Sequence, residues 1–181
     1  MEILKKLTLL MVATIVTLFL IAWSLDAFGF RSPIFALLLN WLVMSWMVIV
    51  GQVIQLSFPS AYHDIRPFEQ TGEVYERAGI RLFKKLVRRG PFTVFSPTLR
   101  FPQEKTASAL RNLESEMRKA ETGHALIFIL MLLFVGYAVL QGWLDAAAWI
   151  LFFNILINGY PIMLQRYNRI KLEELIHQQN G

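Results

Sequence analysis

Cysteine is absent from the 181-residue chain, which excludes a disulfide frame, a thiolate nucleophile and a cysteine-based metal site. Charge is scarce, at 17% of residues, and acidic residues are the scarcer sign: 13 Asp and Glu against 18 Lys and Arg, a net charge of +5. Signature loops are missing as well. There is no glycine-rich phosphate loop, no Gly-x-Ser-x-Gly turn and no His-Glu-x-x-His, so nucleotide hydrolysis, serine-hydrolase and zinc-protease chemistry have no foothold. What the chain has in excess is apolar side chains, 55% of the total, more than a soluble domain of this length can cover with polar surface.

The apolar residues gather at the two ends, around a polar middle at residues 59–123. Four stretches reach the roughly 20 residues that cross a ~30 Å hydrocarbon core. They are residues 7–28, 34–56, 124–143 and 146–164, with short connections at 29–33 and 144–145 that fold each pair into an antiparallel hairpin. The first run, preceded by Lys5 and Lys6, also has the layout of a signal peptide. Its length, the lack of a small-x-small cleavage site and the apolar run that follows favour a span; cleavage would leave three spans. The predicted fold is an all-α integral membrane protein. Its parts are a transmembrane hairpin at 1–58, a cytosolic or interfacial basic helical segment at 59–123, and a second hairpin with a tail at 124–181.

Basic residues set the orientation. The middle segment holds twelve Lys and Arg, the tail has Arg166, Arg169 and Lys171, and the turns on the other side have Arg31 alone. Both termini and the middle are therefore expected in the cytoplasm of a bacterial cell, the protein spanning its cytoplasmic membrane.

Within the middle, residues 74–89 read as one basic amphipathic helix. Val74, Tyr75, Ala78, Leu82, Phe83 and Leu86 form one face, Arg77, Arg81, Lys84, Lys85 and Arg88 the other; Thr71 is the expected cap and Gly90-Pro91 the stop. Such a helix docks on anionic lipid, at about 1 kcal/mol per basic residue near the surface, or its cations hold the phosphates of a donor. Residues 91–102 mix prolines and aromatics and read as an interfacial or re-entrant loop. A second helix begins near Glu104 and runs into the third span, with Leu110, Leu113, Met117 and Ala120 as its apolar face. Nucleic-acid binding does not suit a chain anchored in this way.

Glu121 and His124 sit three residues apart near the start of that span, about 60° apart around a helix. An imidazole with a carboxylate to fix its tautomer has the parts of a general base; the other reading is an interfacial anchor. His63 lies in a loop and His177 in the tail, and two candidate ligands in one place are too few for a metal. In the fourth span Asn154, Asn158, Pro161, Gln165 and Asn168 fall within an arc of roughly 80° on a regular helix. In the second, Ser45, Gln52 and Gln55 share a face. Polar stripes in membrane helices face other helices or a wet cavity, and Pro161 should free the carbonyl of Ile157 beside Asn158.

Lys119-Ala120-Glu121-Thr122-Gly123-His124, then Asn154 and Asn158, then Tyr160-Pro161-Ile162-Met163-Leu164-Gln165-Arg166-Tyr167-Asn168-Arg169, resemble the glycosyl-diaponeurosporenoate acyltransferase family. These bacterial membrane enzymes add the fatty acyl group in the last step of making the carotenoid staphyloxanthin. Phe68-Glu69-x-x-Gly72 and the aromatic and basic run after it are similar too, so the likeness covers about residues 68–175. The resemblance implies transfer of a long acyl chain from a thioester, of the acyl-CoA kind, to a sugar hydroxyl of a glycosylated carotenoid or other glycolipid. No permanently bound cofactor is expected. His124 would act as base with Glu121 orienting it; Asn158, Gln165 or Asn168 would donate to the oxyanion. Asn154, Arg166, Tyr167, Asn168 and Arg169 would line the substrate, and Arg166, Arg169 and the basic helix would hold donor phosphates.

The alternative is a non-enzymatic membrane protein that binds lipid or a partner, its stripe a helix interface; on that reading Glu121→Gln changes nothing. A transporter fits less well, because there is no internal repeat and no charge near the centre of a span.

Overall fold

The computed structural model describes residues 1–54, 56–89 and 106–180. Gln55, the stop at Gly90-Pro91, the loop at 91–102 and the helix start near Glu104 lie outside the described residues, as does the side chain of His177. The described residues are helical and contain no strand. Four helices are long and apolar enough to cross a membrane, so the expected class holds.

The helices are α1 (Glu2–Phe28), α2 (Pro33–Val53), α3 (Ser60–His63), α4 (Glu73–Arg77), α5 (Ile80–Arg89), α6 (Ala107–Leu140), α7 (Leu144–Asn154) and α8 (Tyr160–Asn180). A 3-10 turn at Pro67–Glu69 precedes α4, and a π turn at Ile155–Gly159 joins α7 to α8. They form two compact units: an apolar unit of Met1–Leu56 with Gly123–Gly159, and a polar unit of Ser57–Thr122 with Tyr160–Gly181.

In the apolar unit, Ser32 caps α2 by accepting the Ile34 N–H at 3.2 Å, and Pro33 takes the first helical position, where its missing N–H costs nothing. One face of α2 then buries Phe35, Leu39 and Val43 against Ile127 and Met131 of α6. At the turns, Phe30 packs on Phe35, Tyr137 and Trp143 with ring centroids 5.4–5.6 Å apart, and Arg31 pairs with Asp145 at 2.9 Å. By contrast, α1 buries only Ala13 and Ser24. Thr14 accepts a 2.9 Å bond from Trp46 Nε1, and the remaining apolar surface of α1 is a lipid surface.

The expected stripe of Ser45 and Gln52 does not face the interior. Both are exposed, and the Ser45 hydroxyl donates back to the Trp41 carbonyl at 2.9 Å, satisfying itself within its own helix. The buried polar side chain of α2 is Asn40.

In the polar unit, Tyr75 and Ile80 pack with Leu164, Tyr167 and Ile170 of α8. A second cluster joins Leu110 and Met117 of α6 to Leu172, on the apolar face expected for that helix. The single helix expected over 74–89 is broken. Ala78 ends α4, and Gly79 follows at φ +83°, a left-handed conformation that favours glycine. The break changes the inner face: Ile80, Phe83 and Val87 pack inward, while Leu82 and Leu86 stay exposed among the cations. Thr71 accepts the Glu73 N–H at 3.3 Å, and the cap position itself is Gly72. Gly72 has φ +73°, and a Cβ there would lie 3.0 Å from the Tyr167 ring. At 1.5 Å per residue, α6 is about 51 Å long, well beyond a ~30 Å core, which leaves its polar first half for the polar unit.

Candidate active site

Arg166 and Arg169 lie three residues apart on α8 and project from one side of it. Glu121 of α6, fully buried, meets both: Oε1 accepts from Arg166 Nη1 at 2.8 Å, and Oε2 lies 3.0 Å from Arg169 Nη2. Glu69 takes the other edge of Arg166, with Oε2 2.7 Å from Nη2 and Oε1 3.2 Å from Nε. The Tyr62 and Asp64 carbonyls accept at 3.1 and 3.0 Å, and the Tyr75 hydroxyl at 3.2 Å. All five N–H groups of Arg166 are thereby engaged. Arg169 Nη1 donates to the His63 carbonyl at 2.7 Å, and the buried His63 ring sets Nδ1 3.4 Å from Glu121 Oε2. Two guanidiniums face two carboxylates, so the cluster is neutral when His63 is uncharged.

Electrostatics follow from that closure. Burial holds the His63 imidazole below its ordinary value, against the opposing pull of Glu121. For Glu69, burial works to raise the carboxyl, but hydrogen bonds from Arg166, the Arg66 N–H and Tyr75 outweigh it and hold it low. Burial, reinforced by Glu69, pushes the Tyr75 hydroxyl up to about 12.

Around the cluster, Lys84 Nζ donates to Asn168 Oδ1 at 2.7 Å and lies 5.6 Å from the centre of the Tyr167 ring; the Tyr167 hydroxyl donates to Glu76 at 2.7 Å. Burial and nearby Arg88 lower Lys84. Arg81 pairs with Glu76 at 2.7 Å and Arg77 with Glu73 at 3.0 Å. Lys85 and Arg88 are exposed and have no ion pair among the described residues. Gln165 is buried. Among the described residues no three of His, Asp and Glu converge to hold a metal ion.

The apolar unit contains a second polar group. His124 Nδ1 lies 3.3 Å from Asn158 Oδ1. Asn158 Nδ2 donates to Asn154 Oδ1 at 2.9 Å and to Asn40 Oδ1 at 3.4 Å. Asn154 Nδ2 donates to the Phe128 carbonyl at 3.0 Å; Asn40 Nδ2 donates to the Ala36 and Ile150 carbonyls at 3.0 and 3.4 Å. The three asparagines have no exposed surface. The π turn that carries Asn158 comes just before Pro161, whose ring and missing N–H disfavour a regular α turn there. A 100° step per residue does not carry through that turn, so the single arc expected for the stripe is interrupted.

The predicted site residues therefore fall into two groups. His124, Asn154 and Asn158 come together in the apolar unit. Glu121, Arg166 and Arg169 come together in the polar unit, as do Lys84, Tyr167 and Asn168. The expected Glu121–His124 pair gives way to other partners. Glu121 is the counter-ion of two arginines and has His63 as its imidazole neighbour, while His124 takes Asn158. The donor-phosphate role expected of Arg166 and Arg169 meets guanidiniums already engaged inside the fold, Arg166 with every N–H. Three members were missed: Asn40, His63 and the carboxylate role of Glu69. A lone asparagine within the apolar run of α2 was the available signal for Asn40.

The family model described as glycosyl-4,4'-diaponeurosporenoate acyltransferase matches residues 59–178, about two thirds of the chain. The chain belongs to that family. Neither a curated protein nor a solved structure matches it. The matched segment of this family member takes in Glu121, His124, Asn154, Asn158, Arg166 and Arg169, and begins after the helix that carries Asn40.

Proposed function

We propose that this member of the acyltransferase family is an O-acyltransferase. It moves a long acyl chain from a thioester, of the acyl-CoA kind, to a sugar hydroxyl of a glycosylated carotenoid or related glycolipid. His124 Nε2 takes the hydroxyl proton as the oxygen attacks the thioester carbonyl. The tetrahedral intermediate collapses to the ester as the C–S bond breaks, and the imidazolium returns its proton to the leaving thiolate. Atoms balance as thioester plus alcohol giving ester plus thiol.

The feature that supports this reading most is the state of His124. Its Nδ1 is held by Asn158, and its Nε2 has no partner among the described residues. In this reading Asn158 orients the base, and the Glu121–Arg166–Arg169 cluster holds α6 and α8 together in the polar unit. Lys85 and Arg88, with Arg77 and Arg81 beside them, meet anionic headgroups or the donor's phosphates. The distribution of Lys and Arg supports a place in a bacterial cytoplasmic membrane with both termini inside.

The test is acyl transfer by protein in lipid, from a labelled acyl thioester to a panel of glycosylated lipids. His124→Ala should lower the rate by about 100- to 10,000-fold; a folded variant with full activity removes the base assignment. One observation favours a second reading, a non-enzymatic protein that binds lipid or a partner: both N–H groups of Asn158 and all five of Arg166 are engaged internally. Tight retention of a glycolipid with no transfer by the wild type would favour that reading.

A further inference from the structure

The three buried asparagines are wired in one direction. Amide oxygen and nitrogen look alike in shape, so each orientation has to be argued from its partners. A backbone carbonyl can only accept. The side chain facing Phe128 O must therefore be Asn154 Nδ2, 3.0 Å away, which turns Asn154 Oδ1 toward Asn158. Asn40 Nδ2 faces the carbonyls of Ala36 and Ile150 in the same way, which turns Asn40 Oδ1 toward Asn158. Both oxygens need a donor, and the Asn158 Nδ2 group supplies it at 2.9 and 3.4 Å. Asn158 Oδ1 is then left facing His124 Nδ1 at 3.3 Å. An oxygen there accepts, so the ring nitrogen must carry the proton.

We infer that Asn40 and Asn154 are positioning residues that set the tautomer of His124, through Asn158, with the proton on Nδ1 and the lone pair on Nε2. Two separate carbonyl anchors impose the same answer, one from α6 and one from α2 and α7. The result runs against the preference of a free neutral imidazole, which carries its proton mainly on Nε2. Without the relay, Nε2 of His124 would hold a hydrogen and could not accept one from a hydroxyl. The importance of the relay for the reaction rests on the reading of His124 as the base; the tautomer itself does not.

The experiment reads the tautomer directly. Full-length protein labelled with 15N at histidine, in lipid nanodiscs at a pH where the ring is neutral, reports Nδ1 and Nε2 separately through their couplings to the ring carbon-bound protons. His124→Gln assigns the signal among the three histidines. The expected wild-type result is a protonated Nδ1 and a bare Nε2. A protonated Nε2 in the wild type overturns the inference without any variant needing to fold. Asn40→Leu and Asn154→Leu each remove one anchor and should leave the tautomer in place, whereas the double variant should shift it toward Nε2–H with a parallel loss of acyl transfer. An unchanged tautomer in the folded double variant reduces the asparagines to packing. A wild type with Nδ1–H and no acyl transfer to any acceptor upholds the relay and removes the base role, so the two failures are distinct.

Discussion

Glu121 neutralises two guanidiniums at once, and its removal leaves their charge buried. Glu121→Gln should destabilise the polar unit by about 3–5 kcal/mol, the usual cost of removing one partner from a buried ion pair. Thermal unfolding in detergent would record it, and an unchanged midpoint would mean that the arginines find another counter-ion. The expectation that Glu121→Gln separates an enzyme from a binding protein fails for the same reason, because the loss is structural on either reading. Gly72 is the second critical residue. Gly72→Ala forces a left-handed residue to carry a Cβ 3.0 Å from the Tyr167 ring, so a loss of at least about 1–2 kcal/mol is expected in the same assay. At this scale the sequence was legible where a residue and its reason are close together. It named His124 and Asn158, but assigned Glu121 to the neighbour three residues away rather than to arginines 45 and 48 positions along (166 − 121 and 169 − 121). Periodicity records local neighbours only; each helix shows a polar residue in an apolar run, but the pairing of Asn158 with Asn40 spans 118 positions and cannot be read from either.

The elements divide along the same line. Apolar runs of twenty residues declare themselves, and the spans and turns were read from composition alone. The amphipathic pattern over 74–89 also read clearly, yet it is met by two helices. Gly79 breaks the chain, and Ile80 rather than Leu82 and Leu86 faces the core. The exposed edge of α5 thus joins two leucines to Lys85 and Arg88, a composition suited to anionic headgroups. Amide hydrogen exchange in nanodiscs should show α5 more protected in anionic than in zwitterionic lipid. Lys85→Glu with Arg88→Glu should remove the difference; equal protection in both lipids for the wild type would mean that α5 does not touch the bilayer.

For the molecule as a whole, acid is the perturbation the buried cluster resists least. His63 is held below 6.5, so between its folded value and 6.5 the unfolded chain binds more protons than the folded one. Stability is complete above about 6.5 and falls as pH drops through that window; protonation of Glu69, also held low, extends the loss further into acid. The unfolding midpoint should therefore fall between pH 7.5 and 5.5, and His63→Gln should flatten the upper part of that slope. A wild-type midpoint independent of pH over this range would mean that His63 titrates alike in both states.

The first helix carries a different consequence. Two of its residues, Ala13 and Ser24, are buried, Thr14 accepts a bond from Trp46 of α2, and Ile21 packs on the α2 core face. A surface that only solvates acyl chains stores almost no information: any apolar residue serves, and few orders are better than others. Shuffling the lipid-facing side chains of α1 should leave both assembly and turnover intact. The second helix has less freedom at Asn40, whose buried amide is one of the two anchors to which a histidine on another helix answers.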